Sequence, residues 1–189
     1  MALNHPHRRF LINRILSYLP ISSVLEVGCD SGVNLYLLAS ANPSIKLWGI
    51  DINKKVIEEG KDIIKEMGIN NVFLSCGRAD SLESFGDKSI DVVFTDAVLM
   101  YIGPNKIYSV IGEMIRVARK AVVFNEWHIS SDEKESLYYY GHWVYNFYSL
   151  ISKHVSPDKI QITRIPKEVW GDRGWETFGS LIEVEVLTR

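Results

Sequence analysis

The stretch Val24-Leu25-Glu26-Val27-Gly28-Cys29-Asp30-Ser31-Gly32 decides how this chain folds. Val24, Leu25 and Val27 read as a short buried strand. Gly28 and Gly32 then permit a tight turn with the backbone close to a ligand, because a side chain there would push a bound nucleoside away. Leu35, Leu38 and Ala39 follow at helical spacing. Strand, glycine turn and helix in this order make the nucleotide-gripping corner of a doubly wound α/β sheet.

The glycine spacing narrows the reading. A dinucleotide fingerprint wants glycines at its first, third and sixth positions. Counted from Gly28 these are Gly28, Asp30 and Val33, so the pattern fails at two of three. Acid-x-Gly-x-Gly-x-Gly fits better, through Glu26, Gly28, Asp30 and Gly32, with one mismatch at Asp30. That pattern resembles motif I of the class I S-adenosylmethionine (SAM)-dependent methyltransferases. A plain glycine turn is the competing reading, and the rest of the chain weighs against it.

The 189 residues suit one domain with a substantial core. The formal charge of −2 carries no basic excess of the kind that advertises nucleic acid. Cys29 and Cys76 suggest a reducing, cytoplasmic setting, and neither has metal-ligand spacing, so no metal is expected. No signal peptide is apparent, and no apolar run approaches the ~20 residues of a membrane span.

Further elements follow in alternation. Pro6 to Leu19 should be a helix with Phe10, Leu11, Ile15 and Leu19 on one face. It either covers an edge of the sheet or forms a lid, with His5, His7, Arg8 or Arg9 reaching a carboxylate. Strands are expected at Ile45–Ile50, Val72–Cys76, Ile90–Thr95 and Ala121–Phe124. Helices follow the second, capped by Asn53, and the fourth, opened by Pro104; a short one starts near Asp80 after the third. A long helix is expected from Asp132 to Lys153, with Leu137, Val144, Phe147, Tyr148 and Ile151 inward. Lys159–Ile165 and Leu181–Leu187 alternate as a terminal hairpin, joined by a long Gly- and Trp-containing loop.

Seven strands in this sequence match the methyltransferase architecture over almost the whole chain. The resemblance implies a three-layer Rossmann-like sheet of order 3-2-1-4-5-7-6 with the seventh strand antiparallel. Residues 1–20 would be the N-terminal helix or lid, 21–126 the cofactor-binding core, and 127–189 the substrate-side helix and hairpin.

Asp51 supports a nucleoside independently, since a carboxylate ending the second strand, roughly 20 residues past the glycine turn, takes ribose hydroxyls. NAD would suit it equally. Asp80 would take the adenine amino group by the resemblance, although Asp80 and Glu83 also have capping-box spacing. The resemblance places Glu26, Gly28, Cys29, Asp30, Gly32, Asp51, Ile52, Arg78, Ala79, Asp80, Thr95, Ala97 and Met100 around SAM, or its product S-adenosylhomocysteine. Asp30, standing where the family has glycine, puts cofactor affinity in question.

Methyl transfer needs alignment and, for a protonated nucleophile, a general base. Asp96, Glu126 and His128 are the candidates. Tyr101, Trp127, His142, Trp170, Arg173 and Trp175 are expected on the substrate side, with Arg173 suited to an anionic group. No Asn/Asp-Pro-Pro-aromatic signature follows the fourth strand, so the resemblance lies with the small-molecule branch and an O or N acceptor. A homodimer would cover an aromatic helix face. The alternatives are a non-catalytic SAM-binding module and an NAD-dependent oxidoreductase.

Overall fold

The computed structural model describes residues 4–131 and 134–186. Its centre is a seven-stranded sheet built from β1 (Ser23–Val27), β2 (Lys46–Asp51), β3 (Val72–Cys76), β4 (Ile90–Asp96), β5 (Ala118–Trp127), β8 (Ile160–Arg164) and β9 (Gly179–Glu185). The order is β3-β2-β1-β4-β5-β9-β8, with neighbours parallel from β3 to β5 and antiparallel from β5 through β9 to β8. This is the expected order, with β8 and β9 as the terminal hairpin. Leu187, expected at the end of the last strand, lies outside the described residues.

Strand side chains alternate between two cores, as the pleat requires. Val24, Val92 and Val123 face one, together with α1 (Pro6–Leu16), α2 (Val33–Ala41) and α3 (Lys54–Glu66). Leu25, Val93 and Val122 face the other, with α4 (Pro104–Val117) and α5 (Phe147–Ile151). Burial on both faces explains why β1 and β4 are near-continuous apolar runs. Asn53 caps α3 by accepting from the Lys55 amide at 3.1 Å, as its position suggests. α1 covers a face of the sheet rather than its edge, where the Arg14 guanidinium donates to both oxygens of the buried Glu183 carboxylate on β9.

Further expectations are corrected. The long helix is replaced by a separate hairpin, β6 (Ser136–Tyr139) with β7 (His142–Tyr145), followed by the short α5; Asp132 lies outside the described residues. Tyr140 and Gly141 form the two-residue turn, both at positive φ, 44° and 86°. A turn of that kind matches the twist of a hairpin, and the flanking aromatic and β-branched residues prefer strands. No helix starts at Asp80, which lies in a tight turn closed by the Arg78–Ser81 bridge. The loop between the last two strands is also not bare, for it holds α6 (Lys167–Trp170) and α7 (Arg173–Phe178).

Candidate functional site

A cavity of about 620 Å³ opens at the carboxyl ends of β1 to β4. Gly28, at φ +79°, forms its floor, and a Cβ there would come within 2.5 Å of the Val98 side chain. The turn leaves the chain no room for a larger residue. Asp30 also has positive φ, 50°, which an aspartate tolerates better than most residues. It therefore takes the turn conformation of the missing glycine. Its amide donates to Asp51 Oδ2 at 3.0 Å, and the Asn53 amide donates to Oδ1 at 2.8 Å. Asp51 thus ties the glycine turn to the end of β2 while lining the cavity.

Asp80 accepts from Arg78 Nε and Nη2 at 2.8 and 2.7 Å, and Lys106 Nζ lies 3.2 Å away. The Arg78 hydrogen bonds lead in holding the Asp80 carboxyl down at about 2, against its partial desolvation.

The β1–β4 end of the cavity holds a buried polar cluster. The Asn34 amide donates to Glu26 Oε1 at 2.7 Å and to Asp96 Oδ2 at 3.0 Å, while its Oδ1 accepts from Arg8 Nη1 at 2.6 Å. Asn125 donates to Asp96 Oδ1 at 2.7 Å, and His7 Nε2 lies 3.3 Å from Oδ2, without hydrogen-bond alignment. Burial alone would raise the Asp96 carboxyl, but the His7, Asn125 and Asn34 contacts outweigh it and hold it below the usual range. Glu26 is the opposite case, pushed well above the usual range by burial despite Asn34. Glu26 Oε2 and Arg8 Nε are buried without hydrogen-bond partners.

Of the residues expected around a cofactor, Glu26, Gly28, Cys29, Asp30, Asp51, Ile52, Arg78, Ala79, Asp80 and Ala97 line this cavity. Gly32, Thr95 and Met100 stand outside its lining. Of the candidate bases, only Asp96 lines it. Glu126 is fully buried and turned to the backbone, its Oε1 accepting from the Val98 and Leu99 amides at 2.9 and 3.0 Å. Burial raises its carboxyl to about 7. His128 accepts from the Phe147 amide at 3.2 Å, and burial lowers its imidazole to about 4.

On the substrate side, Tyr101 lines the cavity and is 70% exposed, so its ring stands at the mouth. Trp127, His142, Trp170, Arg173 and Trp175 are not in the lining. The rings of Trp127, His142, Trp170 and Trp175 instead connect the mouth to the N-terminal helix. Tyr101 meets His142 edge-on at 5.0 Å, His142 meets Trp127 at 5.3 Å and Trp127 meets Trp175 at 6.3 Å. Trp175 stacks on Trp170 at 4.1 Å, and Trp170 on His7 at 4.0 Å.

Asn34, Val98 and Lys106 line the cavity and were not expected there. Asn34 carried a signal, a lone amide in the apolar helix Val33–Ala41. Lys106 carried none.

The cavity has the polar groups that SAM requires: a carboxylate at the end of β2 to accept from a ribose, and unpartnered buried polar atoms for an amino-acid end. The comparisons agree. Residues 21–159 match the model of the methyltransferase domain family. The chain belongs to that family, as a class I, Rossmann-like methyltransferase domain whose cofactor is SAM. It is 30% identical over 82 residues to the uncharacterized protein RP789 of Rickettsia prowazekii (strain Madrid E), which covers 43% of this chain and 14% of that one. The PH0226 protein from Pyrococcus horikoshii OT3 is similar in structure, with TM-score 0.69, 16% identity, and 98% and 93% of the two chains covered. So is a geranyl diphosphate C-methyltransferase from Streptomyces coelicolor A3(2), solved with Mg2+, geranyl diphosphate and S-adenosyl-L-homocysteine. There the TM-score is 0.70 and the identity 11%, with 95% and 77% of the chains covered. Among the described residues, no helix is long and apolar enough to cross a membrane.

Proposed function

We propose that this chain transfers a methyl group from SAM to an oxygen or nitrogen atom of a small molecule. The observation that carries the reading is the arrangement along the cavity. Asp51 and Asp80 stand at the β2–β3 end, Glu26 and Asp96 at the β1–β4 end, and the exposed Tyr101 ring at the mouth. SAM supplies a methyl group already activated on a sulfonium. The protein then contributes position and a proton acceptor.

In this reading Asp51 holds the ribose, the Gly28–Gly32 turn and Ala97 flank the nucleoside, and Asp80 faces the adenine with Arg78 and Ala79. Glu26 meets the amino-acid end. Asp96 is the base, held ionised and fixed by Asn125, Asn34 and His7. Glu126 holds the turn that carries Val98 and Tyr101, and His128 supports α5. Tyr101, with His142 and Trp127 behind it, forms the acceptor side.

Residues 21–126 bind the cofactor, 1–20 cover it, and 127–189 shape the acceptor end. A cytoplasmic setting and a small acceptor rather than nucleic acid accord with two free thiols and a formal charge of −2. A homodimer through the exposed Tyr138 and Tyr140 of the hairpin belongs to the same reading. The structural neighbour that acts on geranyl diphosphate supports a small-molecule acceptor, though its acceptor atom is carbon.

The test has two stages. Calorimetric titration with SAM, S-adenosylhomocysteine and NAD should give micromolar binding of the first two and none of NAD. Methyl-labelled SAM is then incubated with fractionated small-molecule extracts, and label should enter a product that Asp96→Asn makes at least tenfold more slowly. Tight binding of S-adenosylhomocysteine with no labelled product from any fraction would favour a non-catalytic binding module instead.

A further inference from the structure

We propose that Arg8, on α1, binds the α-carboxylate of the cofactor's amino-acid end, so that the N-terminal helix is a built part of the cofactor site. The inference rests on the reading of SAM as cofactor. It concerns a residue outside the 21–159 segment that matches the family.

Arg8 is 7% exposed and lines the cavity. Its Nη1 donates to Asn34 Oδ1, a neutral amide, and its Nε is buried without a partner. Among the described residues it makes no ion pair, and the Glu26 carboxyl that it attracts is itself pushed well above the usual range by burial. A guanidinium taken out of water without a counter-ion is costly, because its desolvation is not repaid. Asn34 cannot turn to relieve it, since its amide nitrogen is committed to Glu26 and Asp96. The missing partner is therefore an anion that arrives with the ligand.

The neighbouring atoms define that anion. Glu26 Oε2, also buried and unpartnered, lies in the same wall. A fork of donors beside a free carboxyl oxygen complements a zwitterion, with the carboxylate on Arg8 and the ammonium on Glu26 Oε2. The strand order agrees, because Glu26 and Asp96 sit on β1 and β4 while the ribose ligand Asp51 sits on β2. The Arg8 side chain is also positioned in advance. α1 is fixed to β9 by Arg14 and Tyr18, which both donate to Glu183, and to α6 by the His7–Trp170 stack. An anionic group on the methyl acceptor is the competing occupant.

The full chain is titrated with S-adenosylhomocysteine, with its α-carboxamide, and with 5′-methylthioadenosine, which lacks the amino acid. The wild type should bind the carboxylate form at least tenfold more tightly than the carboxamide, a comparison that needs no variant. Arg8→Met should weaken S-adenosylhomocysteine 10- to 100-fold, the range for a charge-assisted hydrogen bond. It should leave methylthioadenosine unchanged, with Arg8→Lys between the two. Equal binding of carboxylate and carboxamide by the wild type overturns the proposal. So does an Arg8→Met variant that keeps the wild-type ratio of S-adenosylhomocysteine to methylthioadenosine. A wild type that binds none of the three overturns the cofactor reading itself.

Discussion

Replacing Glu126 with Gln should make the protein more stable at pH 8 while changing little at pH 5. The carboxyl is fully buried, and only Oε1 is used, accepting the Val98 and Leu99 amides. Gln keeps that oxygen and cannot ionise. Burial raises the folded-state value to about 7 from an ordinary 4.5. The folded state then holds a proton that the unfolded state releases. The associated stability is complete below about pH 4.5 and is lost as the pH rises to about 7, amounting to about 3 kcal/mol over the window. His128 works in the opposite sense. Its folded value, about 4, is depressed from 6.5, so its contribution is complete above pH 6.5 and is lost as the pH falls toward 4. The two slopes nearly cancel in the wild type, and a single pH profile would hide both. The difference between wild type and Glu126→Gln isolates the carboxyl. Urea unfolding followed by tryptophan fluorescence at pH 5, 6, 7 and 8 measures it. The variant should gain about 2–3 kcal/mol on the wild type between pH 5 and pH 8. A difference constant to within about 0.5 kcal/mol across that range would refute the assignment of Glu126 as a buried carboxyl that is protonated on folding.

Asp51→Ala should weaken S-adenosylhomocysteine about 10- to 100-fold by calorimetry, with Asp51→Asn milder because one amide acceptor survives. Unchanged affinity in both would remove Asp51 from the cofactor site. Gly28→Ala places a methyl 2.5 Å from Val98 at a φ of +79°, and should lower the urea-unfolding free energy by about 2–4 kcal/mol. Asp30→Gly relieves a positive-φ aspartate, and should keep S-adenosylhomocysteine affinity within about threefold of wild type. A large gain in affinity would instead show that the carboxylate crowds the site.

The parallel half of the fold was legible because its signals are local. Val24 to Gly32, Asn53 and Pro104 each announce an element through backbone requirements that tertiary contacts do not change. Asp51 was legible for the same reason, since the end of β2 beside a glycine turn is a place defined by topology. The hairpin at Ser136–Tyr145 was not, because Leu137, Val144, Phe147 and Ile151 mimic a helical stripe. The decisive sign was Gly141 beside Tyr140 amid aromatic residues, a turn signal that the apolar spacing outweighed.

The candidate site divides along a similar line. Residues that face the cavity by virtue of the strand ends, such as Glu26 and Asp96, could be placed from order alone. Whether a carboxylate is ionised there could not, because that depends on neighbours from distant segments. Asp96 is held down by His7, Asn34 and Asn125, from α1, α2 and β5, whereas for Glu26 the Asn34 hydrogen bond and the Arg8 charge do not offset burial and the nearby Asp96. The tryptophans show the same limit. Their number after Glu126 suggested an acceptor pocket, but Trp170 and Trp175 spend their faces on each other and on His7. That stack joins the N-terminal helix to the segment behind the cavity mouth. A perturbation of either end should therefore be felt at the other through packed rings, and the acceptor side cannot be redesigned without regard to α1.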